Sequence, residues 1–420
     1  MPNLDLTNYR GGREHAFIKH YLLAKYLSRW GYKIGSKWDP LVFIDGFAGP
    51  WGAKDEDFTD ASFGIAVRAL NEAIEGLSKI NRSVHGVCIF VEKEPQPFIK
   101  LDAFAKKQST EAVRAIAFEG RFVDKIQVID EYISTVGNNP FKLVFLDQKG
   151  WAAAPMKDLK KFVGSRPCEL LFNVMTSFLT RFVERKTLDK SYHSFFGRSG
   201  VIDRIRSLPK GTGEREEAAV DEYCESLREI CGFRYVSQAV IMDPSKERIR
   251  YYFVFATNSL HGIQVFKDAE SKAAEVQDQV RYQTKIEKQE QFGLPFGGPI
   301  PKSSKSYALQ KRYSQRAREK VITSLMDHRG VTMSYDALYG EVMSLPLITE
   351  SDLNHILLSL HPNVRLQLVG HRRKKPVLFR GDSVVITHEI STDLTTRNQP
   401  QTQSVIPNLS NLSCCHGVRR

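Results

Sequence analysis

The sequence predicts an α/β protein, with a mainly parallel sheet covered by helices on both faces and a smaller basic module after it. Three observations carry that expectation. Short apolar runs alternate with helix-like stretches through the first part of the chain. A glycine-rich turn follows the first of those runs at once. The later part changes character, with three short helical patterns, a strand-like pair and a dense run of Lys and Arg.

Residues 13–30 open the chain as an amphipathic helix, with Ala16, His20, Leu23, Leu27 and Trp30 at helical spacing. His20 on that stripe reads as a packing residue. The apolar runs are LVFIDGF (41–47), VHGVCIFVE (84–92), RFVDKIQVI (121–129), FKLVFLD (141–147) and CELLFNV (168–174). Strands of this kind alternating with helices form βαβ units, whose sheet is buried on both faces. Residues 233–242 and 249–257 are two more strand-like runs joined by Asp243, Pro244 and Ser245, a hairpin closing the sheet edge. Residues 268–291 are polar and helix-prone.

The expected division is a first domain over 1–291, a linker at 292–304 dense in Gly, Pro and Ser, a module over 305–381 and a disordered tail over 382–420. Within the module, helices are expected at 314–328, at 334–344 behind an N-cap Ser334, and at 349–360, where Thr349 and Asp352 fit a capping pattern. The runs VRLQLVG and PVLFR then flank the basic turn His371, Arg372, Arg373, Lys374 and Lys375. Three helices followed by a hairpin with a basic tip match a winged helix-turn-helix.

Composition narrows the function classes. The chain has 420 residues and a formal net charge of +12, and its 42% hydrophobic and 26% charged content is that of a globular protein. Residues 302–381 hold fourteen Lys or Arg against six Asp or Glu, so they carry most of the excess. That asymmetry points to an anionic partner, a nucleic acid, through Arg372, Arg373, Lys374 and Lys375. No apolar run is long enough to span a membrane, and the N-terminus lacks the pattern of a signal peptide. Cys88, Cys168, Cys224, Cys231, Cys414 and Cys415 show no CxxC spacing, so reduced thiols in a cytoplasmic protein are expected, with no metal site.

The chemistry is expected at the strand ends. FIDGFAGPWG (43–52) places Asp45, Gly46, Phe47, Gly49, Pro50 and Gly52 directly after the first strand, where glycines let backbone approach a ligand and expose amides at a helix start. The G-x-x-G-x-x-G spacing is not the dinucleotide fingerprint, and no GxxxxGK[ST] motif is present. Glu92 ends the second strand, where an acid can accept from ribose hydroxyls. Glu119, Gly120 and Phe122 are placed to line a base pocket. FLDQKGW puts Asp147, Gln148 and Trp151 over the same crevice, Asp147 as a hydrogen-bond acceptor for an amino group and Trp151 as a stacking surface for a base. Asn173 and Met175 follow the fifth strand, Asn173 capping the next turn or lining the pocket. Arg181 and Arg185 read as solvated arginines, and His193 lies on a lid-like segment.

Five ordered blocks, FIDGFAGPWG, Glu92, FLDQKGW, RPCELLFNVMTSFLTRF and YYFVFATNSLHGIQVFKDAE, resemble the three-Cys-motif partner protein (TcmP) family, and REHAFIKHYLLAKYL is similar to that family's opening helix. The resemblance covers residues 10–380. It implies a Rossmann-like, class I methyltransferase fold that binds S-adenosylmethionine and works with a partner carrying a three-cysteine, radical-type iron–sulfur motif. The family shows Asp-Pro at the end of strand four, whereas this chain has Gln148 after Asp147. Two functions follow as expectations: a methyltransferase acting on a nucleic-acid base, or a non-catalytic nucleotide-sensing or scaffold subunit of a phage-defence or modification system.

Overall fold

The computed structural model describes residues 4–49, 53–55, 57–291, 305–328, 331–370 and 373–388. Helix α1 (Glu14–Gly35) precedes β1 (Leu41–Asp45), α2 (Ser62–Ser78), β2 (Gly86–Glu92), α3 (Pro95–Gln108), β3 (Val113–Glu119), α4 (Phe122–Thr135), β4 (Phe141–Leu146), α5 (Met156–Gly164) and β5 (Cys168–Val174). Helices α6 (Thr176–Phe182), α7 (Asp189–Phe196), α8 (Val201–Ser207) and α9 (Glu214–Glu229) lead to β6 (Tyr235–Met242), β7 (Ile249–Thr257) and α10 (Leu260–Gln291).

The seven strands form one sheet in the order β3-β2-β1-β4-β5-β7-β6. Strands β1 to β5 are parallel, β7 is antiparallel to β5, and β6 pairs antiparallel with β7. A mostly parallel α/β sheet whose order reverses between β1 and β4 is consistent with a Rossmann-like fold. Every residue of β1, β2 and β5 is buried, as expected of strands covered on both faces. Helices α1, α2 and α10 form one connected layer, and α4, α5, α7 and α9 another.

The third expected strand needs correction. Residues 122–135 are helix α4, and β3 is VRAIAFE at 113–119. Phe122, Ile126, Ile129 and Ile133 are buried at helical spacing, so RFVDKIQVI is one apolar helix face and not a strand. Residues 113–119 carry the weaker signal of an edge strand, with only Val113 and Ala115 buried.

Beyond the linker, which lies outside the described residues, come α11 (Lys305–Asp327), β8 (Met333–Ser334), α12 (Tyr335–Val342), α13 (Glu350–Ser359), β9 (Val364–Gln367) and β10 (Ser383–Ile386). The three short strands form a separate antiparallel sheet in the order β8-β10-β9. Ser334 caps α12 by accepting from the Ala337 amide at 3.2 Å, and Thr349 and Asp352 form a capping box on α13. PVLFR is not the partner strand of the expected hairpin. That partner is β10, inside the segment expected as tail, while 389–420 lie outside the described residues. Pro376 has no N–H to offer a ladder. The loop instead folds around buried Asp382, which accepts from the Val369 and Val377 amides, both at 2.8 Å, and pairs with Arg373 at 2.7 Å.

This module is seated on the β6 edge. Ser237 Oγ donates to the Met343 carbonyl at 2.6 Å, Lys267 Nζ to that of Leu345 at 2.9 Å, and the Leu347 amide to Glu270 at 2.7 Å. Arg316 bridges Glu217 at 3.1 Å and Asp221 at 2.9 Å on α9, and Arg312 also pairs with Glu217 at 2.9 Å. Part of the basic excess is therefore neutralised inside the molecule.

Helix α1 crosses α2 closely enough that a Cβ on Gly31 would stand 2.5 Å from Ala73 Cβ. Alanine there gains about 1 kcal/mol of helix propensity but meets an overpacking cost of about 1–3 kcal/mol. Gly31→Ala is thus expected to unfold at lower urea than wild type. Gly164→Ala on α5, where a Cβ has nothing within 4 Å, is expected to be at least as stable. Equal midpoints for Gly31→Ala and wild type would contradict the tight α1–α2 crossing.

Candidate functional site

The carboxyl ends of β1, β2 and β4 open on a crevice of about 460 Å³, the place where open α/β sheets bind ligands. Gly46 and Phe47 after β1, Glu92 at the end of β2, Gly120 and Phe122 after β3, and Asp147 and Lys149 after β4 all line it. Val91, Val123 and Ala152 add apolar wall. Six of the expected site residues, Gly46, Phe47, Glu92, Gly120, Phe122 and Asp147, therefore converge on one cavity.

Asp45 lies beneath that cavity, not in it. Its carboxylate is fully buried and accepts from the Phe47 amide at 3.0 Å and from Ser62 Oγ at 2.5 Å, anchoring the loop to the start of α2. Burial pushes the Asp45 carboxyl up to about 7. The glycine turn departs from expectation. The next helix starts at Ser62, well beyond the turn, and the nearby amides are already used. Gly46 N donates to the Phe145 carbonyl at 3.0 Å and Ala48 N to that of Val91 at 2.9 Å. A Cβ on Gly46 would meet Leu146 at 2.6 Å and Phe122 at 2.9 Å, so glycine is required here by packing. Gly49 is half-buried, and Pro50 and Gly52 lie outside the described residues.

Glu92 is buried in the crevice lining, and its Oε1 accepts from the Glu94 amide at 2.8 Å. Phe122 packs against Phe47, ring centroids 6.1 Å apart, and against Phe162 at 5.5 Å. Glu119 is exposed and outside the cavity.

Asp147 is the most constrained group. Lys19 Nζ on α1 donates to its Oδ2, and Asn173 Nδ2 on β5 donates to its Oδ1 at 2.7 Å. Burial pushes the Asp147 carboxyl up, but the Lys19 ammonium and the Asn173 amide outweigh that and hold it below the ordinary range. Asn173 thus orients Asp147 in place of capping a turn, and Asn173 Oδ1 is buried with no hydrogen-bond partner among the described residues. Gln148 does not line the cavity. It is 1% exposed, and neither of its amide atoms has a hydrogen-bond partner among the described residues. Trp151 stacks on Tyr192 at 4.9 Å and 11°, and its Nε1 donates to Ser191 Oγ at 2.9 Å, so its ring is committed to the α7 side. His193, Arg181 and Arg185 are exposed and outside the crevice. His20 is buried against Tyr9, whose hydroxyl lies 2.9 Å from Nδ1.

Lys19 is the residue that sequence reasoning passed over. The available signal was a lysine beside His20 inside an otherwise apolar helix stripe. Among the described residues no group of three or more His, Cys, Asp or Glu could hold a metal, and no helix is long and apolar enough to cross a membrane.

Arg372 lies outside the described residues. Arg373 is bound to Asp382, and Lys374 and Lys375 are exposed. The loop that carries them is fixed to the opposite end of the main sheet: Phe379 stacks on His261 at 3.8 Å and 9°, just past the end of antiparallel β7. Six strand residues at about 3.3 Å each separate the two ends of the sheet by about 20 Å along the strands.

No protein-family model and no curated protein matches the sequence. Among solved structures the chain is similar to the O-methyltransferase TomG from Streptomyces achromogenes in complex with SAM, at 14% identity over 56% of this chain and 79% of that one, with a TM-score of 0.29. It is also similar to a DUF574 family protein from Streptomyces avermitilis, at 10% identity over 57% and 83% with a TM-score of 0.30. Loganic acid methyltransferase with SAH matches at 8% identity over 68% and 92%, with a TM-score of 0.27. The class of this protein is defined by its own geometry: a Rossmann-like α/β sheet with a crevice at its switch point.

Asp45 gives a pH test. Its carboxyl is raised from an ordinary 3.8 to about 7. A raised folded-state value means the folded protein binds the proton more tightly, so this contribution is fully present below about pH 4 and lost as pH rises through about 7. Asp45→Asn keeps the shape and removes the titration. Wild type is expected to lose up to about 4 kcal/mol relative to Asp45→Asn between pH 4 and pH 8, read by urea unfolding. Parallel stability curves for the two would refute the buried, protonatable Asp45.

Proposed function

We propose that this protein is an S-adenosylmethionine-dependent methyltransferase acting on a nucleic-acid base. The observation that carries the reading is the meeting of Glu92, Phe122 and Asp147 in one crevice at the β1/β4 switch point. Its volume of about 460 Å³ falls in the range of small-molecule sites. The donor set fits the cofactor: the Glu92 carboxylate at the end of β2 is placed to accept from ribose hydroxyls, and Phe122 and Val123 offer an apolar wall for adenine. When bound, S-adenosylmethionine supplies an activated methyl group for in-line displacement.

The chain's own residues orient the acceptor. Asp147 is kept ionised by Lys19, and so can accept a hydrogen bond from an amino group brought to the crevice. Asn173 holds the carboxylate from below and limits its rotation. Positioning of this kind is what a displacement at carbon chiefly needs from a protein.

In this reading the C-terminal module is a winged helix-turn-helix, supported by the order α11, β8, α12, α13, β9, β10 and its three-stranded sheet. Its exposed Lys374 and Lys375 then contact phosphate, while Arg373 braces the loop through Asp382. A three-Cys-motif partner belongs to the proposal through the sequence resemblance alone. A second reading, a nucleotide-sensing or scaffold subunit without catalysis, is favoured by one observation. Both Asp147 oxygens are already engaged, and Trp151 is committed to Tyr192 and Ser191.

Calorimetry with S-adenosylhomocysteine tests the cofactor. Wild type is expected to bind it at micromolar protein, and Glu92→Ala to weaken binding about 10-fold or more, about 1.4 kcal/mol for lost charge-assisted hydrogen bonds. Absence of heat with wild type would overturn the proposal. Turnover assays separate the two readings, since Lys19→Met should change methyl transfer if Asp147 orients the acceptor and leave cofactor affinity within about 3-fold. For the module, Lys374→Ala with Lys375→Ala should lower the slope of log K against log salt for nucleic acid by about 1–2, and an unchanged slope would remove that contact from the model of binding.

A further inference from the structure

The amino-terminal end of the main sheet carries a second cavity, of about 720 Å³, on the side opposite the crevice. Its walls are aromatic: Tyr26 and Trp30 from α1, Trp38 from the turn after α1, and Phe141 at the start of β4. Trp38 is half-buried and meets Phe141 edge-on, with centroids 5.4 Å apart and planes at 60°. Lys33 and Lys37 stand at the rim, both exposed, and neither makes an ion pair among the described residues. The acid in the lining, Glu169, is buried with its oxygens engaged by Tyr26 at 2.6 Å and Thr257 at 2.8 Å.

Aromatic wall and unneutralised cations side by side match neither a packing cleft nor an ordinary solvated surface. A packing cleft has no need of two lysines at its mouth, and a solvated face has no need of an indole beside a large cavity. Together they are the two elements of single-strand recognition, a π surface for a base and point charges for its phosphates. A third observation extends the surface. His261 also lines this cavity and stacks on Phe379, so the loop bearing Lys374, Lys375 and Arg380 begins where the cavity ends. Lys33 and Lys37 are close enough to His261 that, after burial, they are what holds its imidazole below its ordinary pKa.

We propose that this cavity is a stacking subsite for single-stranded nucleic acid, taking a base against Trp38 and adjacent phosphates on Lys33 and Lys37. The strand then continues over Phe379 to Lys374, Lys375 and Arg380. The inference rests on the nucleic-acid part of the proposed function and is independent of the cofactor part. It assigns the strand's anchor to the sheet end about 20 Å from the crevice. A target held there reaches the crevice only if it extends at least that far along the side of the domain, so short substrates bind without being presented.

The test uses the full chain and a fluorescein-labelled oligothymidine at several salt concentrations. Lys33→Gln with Lys37→Gln, both at exposed positions, is expected to raise Kd about 10-fold at low salt and to reduce the salt slope by about 1.4, twice the single-strand increment of about 0.7 per phosphate. Trp38→Ala is expected to weaken binding at least about 5-fold, the lower end of what one stacked base contributes. Oligothymidine is expected to quench intrinsic tryptophan fluorescence in wild type, and Trp38→Phe to lose that quenching while keeping S-adenosylhomocysteine binding and its far-ultraviolet spectrum. Unchanged Kd and slope in the lysine pair would overturn the subsite, also when Lys374→Ala with Lys375→Ala does weaken binding, in which case the module's nucleic-acid contact survives by another path. Thymidine monophosphate binding as tightly as the oligonucleotide would equally overturn it, in favour of a free-nucleotide pocket. Failure of wild type to bind any strand removes both this inference and the nucleic-acid target, and leaves the calorimetric test of the cofactor standing.

Discussion

The ion pair between Lys19 and Asp147 sets the shape of the upper end of the molecule. It joins α1 to the tip of β4, across 128 residues of chain, at a place where water is largely excluded. A carboxylate taken that far from water needs compensating charge and hydrogen bonds to remain ionised. Lys19 supplies the first and Asn173 contributes to the second. The neighbouring carboxylate, Asp45, has only neutral donors in Ser62 and the Phe47 amide, and its proton is held far more tightly. Two acids at adjacent strand ends are thereby pushed in opposite directions by their surroundings, which is how one crevice comes to have an ionised acceptor above a protonatable anchor.

That division of labour reassigns several motif residues. The glycine turn after β1 is a packing device first: Gly46 makes room for Leu146 and Phe122, and its amide continues the ladder to Phe145. Asp45 ties the loop down from beneath. In the proposed function, contact with a ligand falls to Glu92 at the end of β2, Phe122 at the start of α4 after β3, and Asp147 after β4, which line one crevice because the sheet order sets β3, β2, β1 and β4 side by side.

The basic module is similarly divided. Arg312 and Arg316 neutralise acids of α9, and Arg373 locks the loop through Asp382, so these cations serve architecture. Lys374, Lys375 and Arg380 remain exposed, at the end of the sheet away from the crevice. Net charge alone made all of these residues equivalent. Their partners do not.

Much of the fold was legible in the sequence because it depends on near neighbours. The apolar runs of β1, β2, β4 and β5, the hairpin around Asp243, the Ser334 cap and the Thr349–Asp352 box are all local patterns, and each forms where those patterns lie. The same locality explains the error at 121–129, where an apolar helix face and a short buried strand are alike in composition and differ only in period. PVLFR misled for a different reason: the strand that completes the small sheet is chosen by where Asp382 can be buried and bonded. What the sequence by itself determined was the alternation of strands and helices and the set of acids and glycines at the strand ends. Only the tertiary structure decided that Lys19 reaches Asp147, that Trp151 turns to Tyr192, and that the basic loop faces away from the crevice. Each of those depends on groups far apart in the chain competing for the same partner or the same space, and no local pattern encodes which of them prevails.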